Sequence, residues 1–469
     1  MLKPVPLFGI GVSGKSVNVN AQERLNLYCE LQSDAETNAL AIYGTPGLVA
    51  ESNYGANPAR GAYSMGDFKY FVVSDTLWQE ANDGTMTNRG TLLTSGGKVS
   101  MIDNGTQLCI VDGPYGYIYN VNTLVFAQIT DPYFLGADTV TFMNGYFIFQ
   151  KPNSAIFYLS ALYDGLTGDL LDFATAESNP DPLVRVLANN GQLLLFGGIS
   201  TEFWGDSGAA DFPFARIGGS AIEWGLAARG SLCKYDNSLA FLRANRLGQV
   251  QVCVLVGYNA TPISTPELDH VINSYSSVSD ATAFAYMLGG HAFYQINFPS
   301  ANNGAGQSWL YDNQSNSWSK VGGEYARHRA ELQMQYLNQS IVTDYENGLT
   351  YSLNENVYTD NGAPIVRQLI GRHQATGDFS KIGRMWLEME AGVGLTSGQG
   401  ENPQVMLQIS RDGGHVYGAE LWRSFGRIGK FRARALWLGL GRARDWTMKL
   451  RVTDAVKVVF VACWASYSK

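Results

Sequence analysis

The sequence has little charge and few cysteines for its length. Only 16% of the 469 residues are charged, against about 25% in a typical soluble domain. Because 45% of the residues are apolar, a disordered chain is excluded. The five cysteines are odd in number and never form a C-x-x-C pair, which supports neither a disulfide framework nor a zinc site of that type. We therefore expect reduced, buried thiols.

Long apolar runs and helical periodicity are also scarce. The longest apolar run, residues 456–465, covers at most half a membrane span, and residues 1–12 contain no stretch that resembles a signal peptide. The best helix candidate is residues 265–275, where apolar residues fall on one face. These absences exclude coiled coils, and we predict a protein without a membrane span that is synthesised in a reducing cytoplasm.

Glycine and aromatic residues are abundant instead. The 52 glycines make up about 11% of the chain, against about 7% on average, and they follow no G-X-Y period. The chain also contains 25 Tyr, 22 Phe and 10 Trp. Frequent turns together with aromatic residues favour many short strands over helices.

Turn signals followed by short apolar runs recur seven times before about residue 360. They are counted from Gly66, Gly105, Gly145, Gly191, Asn237, Gly290 and Gln339, with spacings of 39 to 53 residues. Asn-Gly turns between apolar stretches indicate hairpins, and units of this length with about four strands are typical of propeller blades. We predict an all-β fold with a β-propeller-like main domain; an irregular β-sandwich with similar turns is the alternative.

The pattern changes after the turn-rich residues 359–364. Alternating strands with basic loops then predict an additional C-terminal β-sandwich domain. The resulting division is an N-terminal arm and closing strand in residues 1–60, a β-propeller in residues 61–364 and a basic β-sandwich in residues 365–469.

The formal net charge of −8 is unevenly distributed. Residues 365–469 contain 16 basic and 8 acidic residues, net +8, whereas the remainder contains 17 basic and 33 acidic residues, net −16. Such an asymmetry indicates a face for an anionic partner or a docking face for the chain's own acidic part. The basic loop residues concerned are Arg423, Arg427, Lys430, Arg432, Arg434, Arg442 and Arg444.

These seven residues are interleaved with aromatic residues and could contact phosphate through planar guanidinium groups. They could equally pair with the acidic propeller of the same or a neighbouring subunit. Because only the C-terminal part is basic and the pI of the whole chain is near 5.2, we favour a protein interface over DNA binding.

Two motifs suggest chemistry that their context does not support. Residues 9–16 match the Walker A pattern, but the next residues, Val-Asn-Val-Asn, lack the apolar period of the helix that a P-loop needs. Residues 410–417 resemble an Asp-box, a hairpin turn that also occurs outside catalysis. We interpret the first as a chance match and the second as a structural turn. No catalytic residue, cofactor site or metal site is predicted, and we expect the protein not to be an enzyme.

Several blocks, in order along almost the whole chain, resemble the packaged-DNA stabilisation proteins, the tail-hub or nozzle family of short-tailed bacteriophages. The blocks are residues 22–30 and 45–48; 200–204 and 212–216; 263–266, 278–281, 290–294 and 298–299; 309–312 with Trp318; and 410–454. Members of this family have a propeller with an added β domain, which agrees with the repeat pattern.

The resemblance implies a structural protein of the virion tail that is synthesised in the host cell cytoplasm. It implies a homohexameric ring below the portal and its adaptor, which extends the DNA channel, helps to retain the packaged DNA until ejection and completes the filled head. The implied partners are the portal-adaptor protein, a tail needle, plug, spike or fibre, and double-stranded DNA that passes through the lumen without sequence-specific binding. In such a ring we expect the seven basic residues to serve as a subunit or adaptor interface.

The alternative function is a glycan-binding or glycan-hydrolysing propeller, either a lectin or a sialidase-like enzyme. A sialidase would need an arginine cluster and a Tyr nucleophile with a Glu partner in one pocket. A hub protein would instead present large surfaces that repeat around a symmetry axis.

Overall fold

The computed structural model describes residues 2–5, 11–31, 40–209, 212–371 and 374–468. Within these residues the only α-helix is Pro266–Ile272, and one short 3-10 helix spans Asn302–Gly304. The α-helix confirms the prediction for residues 265–275, and its N-cap is Thr265, whose hydroxyl accepts a hydrogen bond from the Leu268 amide. The fold is all-β, as the composition predicts.

Seven antiparallel units follow one another in the described part of the chain, and we number them as blades 1 to 7. The strands of blades 1 to 4 are Ala59–Met65, Phe68–Val73, Thr76–Glu80 and Met86–Thr91; Ser100–Asp103, Gln107–Val111, Gly116–Asn120 and Val125–Gln128; Thr139–Met143, Tyr146–Gln150, Ile156–Leu159 and Phe173–Thr175; Leu183–Asn189, Gln192–Gly197, Thr201–Asp206 and Phe214–Arg216. Those of blades 5 to 7 are Gly225–Leu226, Cys233–Tyr235, Ser238–Ala244, Val250–Val256 and Asn259–Pro262; Thr282–Leu288, His291–Phe298, Gln307–Asp312 and Ser317–Val321; Ala330–Tyr336, Gln339–Asp344, Leu349–Asn354 and Gly47–Asn53.

An apolar cluster fills each junction between neighbouring blades. Blades 2 and 3, for example, share Cys109, Phe147 and Phe149. The last cluster joins blade 7 to blade 1 through Ile341 and Phe71, so the ring of blades is closed. Because the middle strands are covered by a blade on each side, a strand such as Gln107–Val111 is buried at every residue and shows no polar alternation. The main domain is therefore a β-propeller.

All seven predicted turns lie at the same place in their blades, directly before the strand that begins at Phe68, Gln107, Tyr146, Gln192, Ser238, His291 or Gln339. The backbone of each adopts positive φ, as at Asn144 (53°) and Gly145 (88°) or at Asn190 (49°) and Gly191 (73°). The twist of such a turn matches the twist of the flanking strands. The seventh turn differs, because its positive φ lies at Leu337, which is neither Asn nor Gly. Turn residues therefore located six blades, and the apolar run after Asn338 located the seventh.

An N-terminal strand completes the propeller. Gly47–Asn53 pairs antiparallel with Leu349–Asn354, so blade 7 combines residues that are about 300 positions apart in the chain. Two short strands, Thr359–Asp360 and Ala363–Pro364, extend its outer edge.

A β-sandwich follows the propeller and includes several N-terminal strands. Its strands are Leu2–Pro4, Glu23–Leu25, Leu27–Leu31, Leu40–Gly44, Arg367–Ile370, Gln374–Met389, Gln404–Ser410, Leu421–Ser424, Ala435–Val452 and Val459–Ser468. A separate apolar cluster, with Trp437 and Trp446 fully buried, forms its core. The fold class is thus a propeller with an added sandwich. The predicted division at residues 60 and 364 stays a prediction, since the N-terminal strands extend both units.

Replacing Gly191 with Ala should destabilise the protein by about 1 kcal/mol, because an L-residue in the left-handed region is strained. A Cβ at Gly191 would meet no atom within 4 Å, so backbone conformation alone determines the cost. Denaturant unfolding measures it. The matched control is Gly198→Ala, which also meets no atom within 4 Å and does not have φ between +20° and +160°; equal effects of the two substitutions would contradict the prediction.

Candidate functional site

The seven basic residues of the sandwich do not form one patch. They lie on Leu421–Ser424, on Ala435–Val452 and on the loop that joins these strands. Arg434 directly precedes Ala435, which pairs with Leu387 at one end of the strand pair. Arg442 lies further along and pairs with Lys381. The eight positions between the two arginines correspond to roughly 25 Å of strand. The seven residues therefore fall into three groups. Arg427, Lys430 and Arg432 line a groove, Arg423 and Arg434 lie at a sheet edge, and Arg442 and Arg444 form a distant pair.

Arg427, Lys430 and Arg432 line an open groove of about 590 Å³, together with Asn402 and Phe431. We call this the basic groove. All three cations are exposed, and Phe431 is 77% exposed. Arg427 has an ion pair with Glu401 (3.3 Å), while Lys430 and Arg432 form no ion pair within the described part of the chain. The groove thus combines unneutralised positive charge with an exposed aromatic ring.

Consecutive turns shape the loop that carries the basic groove. Gly426 and Gly429 adopt positive φ (106° and 78°), the Lys430 amide donates to the Arg427 carbonyl (3.0 Å), and the Ala433 amide donates to the Lys430 carbonyl (3.2 Å). Buried Phe425 anchors the start of the loop. The loop backbone is ordered by its own hydrogen bonds, so the cationic side chains project from a fixed frame.

The remaining arginines have local roles. The Arg423 guanidinium donates to the Leu436 carbonyl (2.8 Å), and Arg411 donates to the Leu440 carbonyl (2.9 Å), so both cap carbonyls of the strand Ala435–Val452. Capped edges resist pairing with other chains. Arg434 lies 3.8 Å from Glu388 at an exposed position, where an ion pair contributes little.

Arg442 and Arg444 both stack on Phe379. Their guanidinium carbons lie 5.2 and 4.7 Å from the centre of its ring. A cation over an aromatic face at this distance is a stabilising contact. These two residues therefore have a common aromatic partner at the far end of the sheet.

The propeller and the sandwich meet at a polar seam that composition did not indicate. The strand Glu23–Leu25 pairs in parallel with Ser317–Val321 of blade 6 and antiparallel with Arg367–Ile370 of the sandwich. One continuous sheet therefore passes from the propeller into the sandwich. We use "seam" for residues 22–26 and their partners on these two strands and on the adjoining Gly322 and Val366.

Asn26 is at the centre of the seam. Its side-chain amide donates to the carbonyls of Gly322 and Val366 (2.8 Å each) and accepts from the Gly322 amide (2.8 Å), so one buried residue bonds both units. Its backbone has φ of 55°, which Asn tolerates better than most residues. A buried amide that is satisfied on all sides fixes the position of its partners.

Glu23 bridges the same two units. Its carboxylate accepts from Lys320 of blade 6 (2.7 Å) and from Gln368 of the sandwich (3.1 Å). The pair is only partly exposed, which makes it stronger than a surface ion pair. Glu324 of the propeller adds a weaker link, since Lys449 and Arg451 of the sandwich lie 4.0 and 3.9 Å away.

Two fully buried arginines lie at the seam, Arg24 within it and Arg367 beside it. Arg24 donates to the Trp318 carbonyl (3.0 Å) and contacts Cys29, and burial lowers the pKa of its guanidinium. Burial likewise lowers the pKa of Arg367 to about 10. Glycines make room for both: a Cβ at Gly11 would approach Arg24 Nε to 2.4 Å, and one at Gly44 would approach Arg367 Nε to 2.2 Å.

The Asp-box-like residues form a structural turn. Asp412 accepts from the amides of His415 (3.1 Å) and Val416 (3.0 Å), and Ser410 accepts from the Gly414 amide (2.8 Å). The Ser410 hydroxyl also donates to Asp412 (2.5 Å), and this bond, followed by those from the Val416 and His415 amides, lowers the pKa of Asp412. Both polar side chains of the motif therefore hold the hairpin together.

The segment that matches the Walker pattern continues into residues that contact this hairpin. Residues 9 and 10 lie outside the described residues; in residues 11–20 no helix forms, and the Val19 and Asn20 amides both donate to the Ser16 carbonyl (3.0 and 3.1 Å). His415 hydrogen-bonds Asn18 across the contact (2.9 Å). A P-loop needs a helix after this turn. The segment instead fastens the N-terminal region to the sandwich.

Within the described part of the chain, no group of three or more His, Cys, Asp or Glu side chains comes together as metal ligands would. No helix formed by these residues has the length and apolar character of a membrane span.

Two family models match consecutive parts of the chain. Residues 8–358 match the family described as bacteriophage P22 Gp10, beta-propeller, and residues 374–468 match bacteriophage P22 Gp10, beta-sandwich. The chain belongs to the bacteriophage P22 Gp10 family of phage structural proteins. The resemblance found in the sequence is confirmed.

Solved structures show only distant likeness. The WD40 domain of Neurospora crassa Pan2 is 10% identical (TM-score 0.43; 67% of this chain and 95% of that chain covered), and YCF48 bound to D1 peptide is 13% identical (TM-score 0.41; 66% and 98%). The N-terminal domain of Nup159 is 8% identical (TM-score 0.40; 70% and 98%). No curated protein matches the sequence.

Replacing Asn26 with Gly should destabilise the full chain by about 2–4 kcal/mol, because partly buried groups on Gly322 and Val366 lose their partner. Glycine keeps the positive φ, so the loss reports the side-chain hydrogen bonds. The matched control is Asn153→Gly, at a turn with the same φ of 55°. Denaturant unfolding compares the two; an equally small effect at both positions would show that the seam contributes little.

Proposed function

We propose that this protein is a structural component of the tail of a short-tailed phage and not an enzyme. In this proposal six copies form a hub or nozzle ring below the portal and its adaptor, extend the DNA channel, help to retain packaged DNA and offer attachment surfaces to other tail proteins. The observation that carries the proposal is the family match of both units, in the same order, over nearly the whole chain.

The distribution of charge supports this role. The acidic part of the chain contributes little attraction for DNA, so a lumen lined mainly by it would let double-stranded DNA pass without specific binding. The basic set then serves protein contacts, within the ring or with the adaptor. Arg427, Lys430 and Arg432 are the members of the set that project together from one groove.

The rigid seam also supports assembly into a ring. A head-to-tail interface closes into a ring only if each subunit adds the same rotation. A sheet that is continuous from blade 6 into the sandwich, with Asn26 bonded to both units, holds the two binding surfaces of a subunit at one angle.

No observation favours the glycan-active alternative. The Asp-box-like residues Ser410 and Asp412 bond their own hairpin and the turn at Asn18 docks against it, which is a folding role.

The purified full chain should form a closed ring with six times the 51.2 kDa mass of one chain, alone or on addition of the portal-adaptor complex. Mass photometry and electron microscopy measure the mass and the symmetry. A chain that stays monomeric in the presence of that complex would contradict the proposal.

Reversing the charge of Arg432 and Arg434 (to Glu) should weaken ring assembly or docking to the adaptor, while leaving the fold intact, because both side chains are exposed. Assembly of phage particles with the variant chain is the readout. The matched control reverses Lys381 and Arg384, which are also exposed basic residues of the sandwich. Normal particles together with a loss of DNA binding by the isolated protein would show that these arginines bind DNA and not protein.

A further inference from the structure

Blade 3 displays an exposed apolar loop with a carboxylate at each side of two leucines. Residues 169–173, Asp-Leu-Leu-Asp-Phe, lie at the end of the connection between Ile156–Leu159 and Phe173–Thr175, and we call them the acidic loop. Leu171 is 80% exposed, and Leu170 and Phe173 are also largely in solvent. Contiguous exposed apolar side chains mark interaction sites in soluble proteins.

The backbone of the acidic loop is ordered before any partner binds. The Leu171 amide donates to the Asp169 carboxylate (2.9 Å), and the Asp172 amide donates to the Asp169 carbonyl (3.1 Å). The Phe173 amide donates to the Leu171 carbonyl (2.9 Å), and the Asp172 carbonyl accepts from Leu159 of the neighbouring strand (3.0 Å). A loop that is already in one conformation binds with a smaller entropic cost.

The charge of the acidic loop is unneutralised. Neither Asp169 nor Asp172 forms an ion pair with any described residue. Partial burial, and then the charge of Asp169, raise the pKa of Asp172. A cationic partner would relieve this repulsion while the leucines are being buried.

The basic groove of the sandwich has the complementary character. It offers three cations, two of them without an ion pair among the described residues, beside the exposed ring of Phe431. An acidic loop with apolar side chains at its tip matches both features. Complementary charge selects the partner and the register of an interface, while the buried apolar contact supplies much of its free energy.

The two surfaces cannot meet within one chain. The sandwich is joined to the propeller at blade 6, through Glu23–Leu25, and at blade 7, through the strand Gly47–Asn53 that continues from Leu40–Gly44. In the closed ring of seven blades, blade 3 is three blades away from each of these, which makes it the blade farthest from the sandwich. A contact between loop and groove therefore joins two molecules.

We propose that the acidic loop of one chain docks into the basic groove of a second copy of this chain. Because loop and groove lie at opposite ends of the molecule, each copy can use both, which produces a head-to-tail interface that closes into a ring. The inference rests on the proposed ring and specifies one of its contacts; the rest of an interface of ordinary size would come from neighbouring surface.

A charge swap tests the contact in the full chain. The loop variant is Asp169→Arg with Asp172→Arg, and the groove variant is Arg427→Glu with Arg432→Glu. Each variant alone should self-associate at least tenfold more weakly than the native chain, since loop and groove then have the same sign. An equimolar mixture should recover assembly to within a few fold, because each type of chain then finds an opposite charge at both of its surfaces. Mass photometry over a concentration series measures all three.

Leu171→Ser tests the apolar part without changing charge. It should weaken self-association at least tenfold, whereas the control Leu247→Ser, at a position that is 83% exposed on blade 5, should have no effect. Asp67→Arg with Asp83→Arg, two exposed acids of blade 1, provides the control for a general loss of negative charge. The unfolding midpoint of each variant shows whether its fold is retained.

The possible outcomes distinguish failure of the loop–groove contact from failure of the proposed ring. If the native chain forms the ring and both charge variants do so with unchanged affinity, the loop–groove contact is wrong and the proposed function stands. If the groove variant loses binding to a double-stranded DNA fragment while its self-association is unchanged, the groove binds phosphate and the contact is likewise wrong. If the native chain never self-associates, alone or with the portal-adaptor complex, both proposals fail.

Discussion

The seam between propeller and sandwich is the constraint on which the rest of the molecule depends. A single buried side chain, Asn26, bonds a carbonyl of blade 6 and a carbonyl that precedes the sandwich strand Arg367–Ile370. Glu23 repeats the bridge with charge, through Lys320 and Gln368. Together with the strand Glu23–Leu25, which pairs with a strand of each unit, these bonds restrain rotation of the two units against each other. With them, the surfaces at opposite ends of the subunit keep one relative orientation.

The scarcity of charge follows from the architecture. Each middle strand of a blade is covered on both faces, so strands such as Gln107–Val111 and His291–Phe298 have no solvent-facing residues. Some of the charged residues that do lie on blade strands are buried in ion pairs, such as Lys69 with Glu80 (2.6 Å). The acidic loop and the basic groove carry exposed charge. A low overall charge is therefore compatible with specific electrostatic recognition.

The sequence predicted the parts of the fold that depend on local chemistry. The Asn144-Gly145 and Asn190-Gly191 turns adopt positive φ, as those residues favour, and turns together with the apolar runs that follow them located the blades. The short helix was visible because its apolar residues fall on one face, which is also a local pattern.

The seam could not be predicted, because its partners are far apart in the chain. Asn26 bonds Gly322 and Val366 across 296 and 340 positions, and no local pattern identifies such pairs. Arg24 and Glu23 are polar residues of a strand of only three residues. Without the pairing of that strand, the sequence indicates only a loop. The division of the basic residues into separate groups could not be predicted for a related reason. Strand register places Arg442 far from Arg434, and Arg423 donates to the Leu436 carbonyl. Only the family resemblance of residues 22–30 indicated that this segment mattered.

Hydrogen–deuterium exchange of the full chain tests most directly whether the seam holds the two units together. The amide of Asn26 donates to the Lys320 carbonyl (2.8 Å), that of Thr45 to the Asn26 carbonyl (3.0 Å), and that of Gly322 to the Asn26 side chain (2.8 Å). If the seam opens only when the whole protein unfolds, these amides exchange as slowly as those of the buried strand Gln107–Val111. Fast exchange at the seam, with the blade strand still protected, would show that propeller and sandwich move independently and would contradict the account.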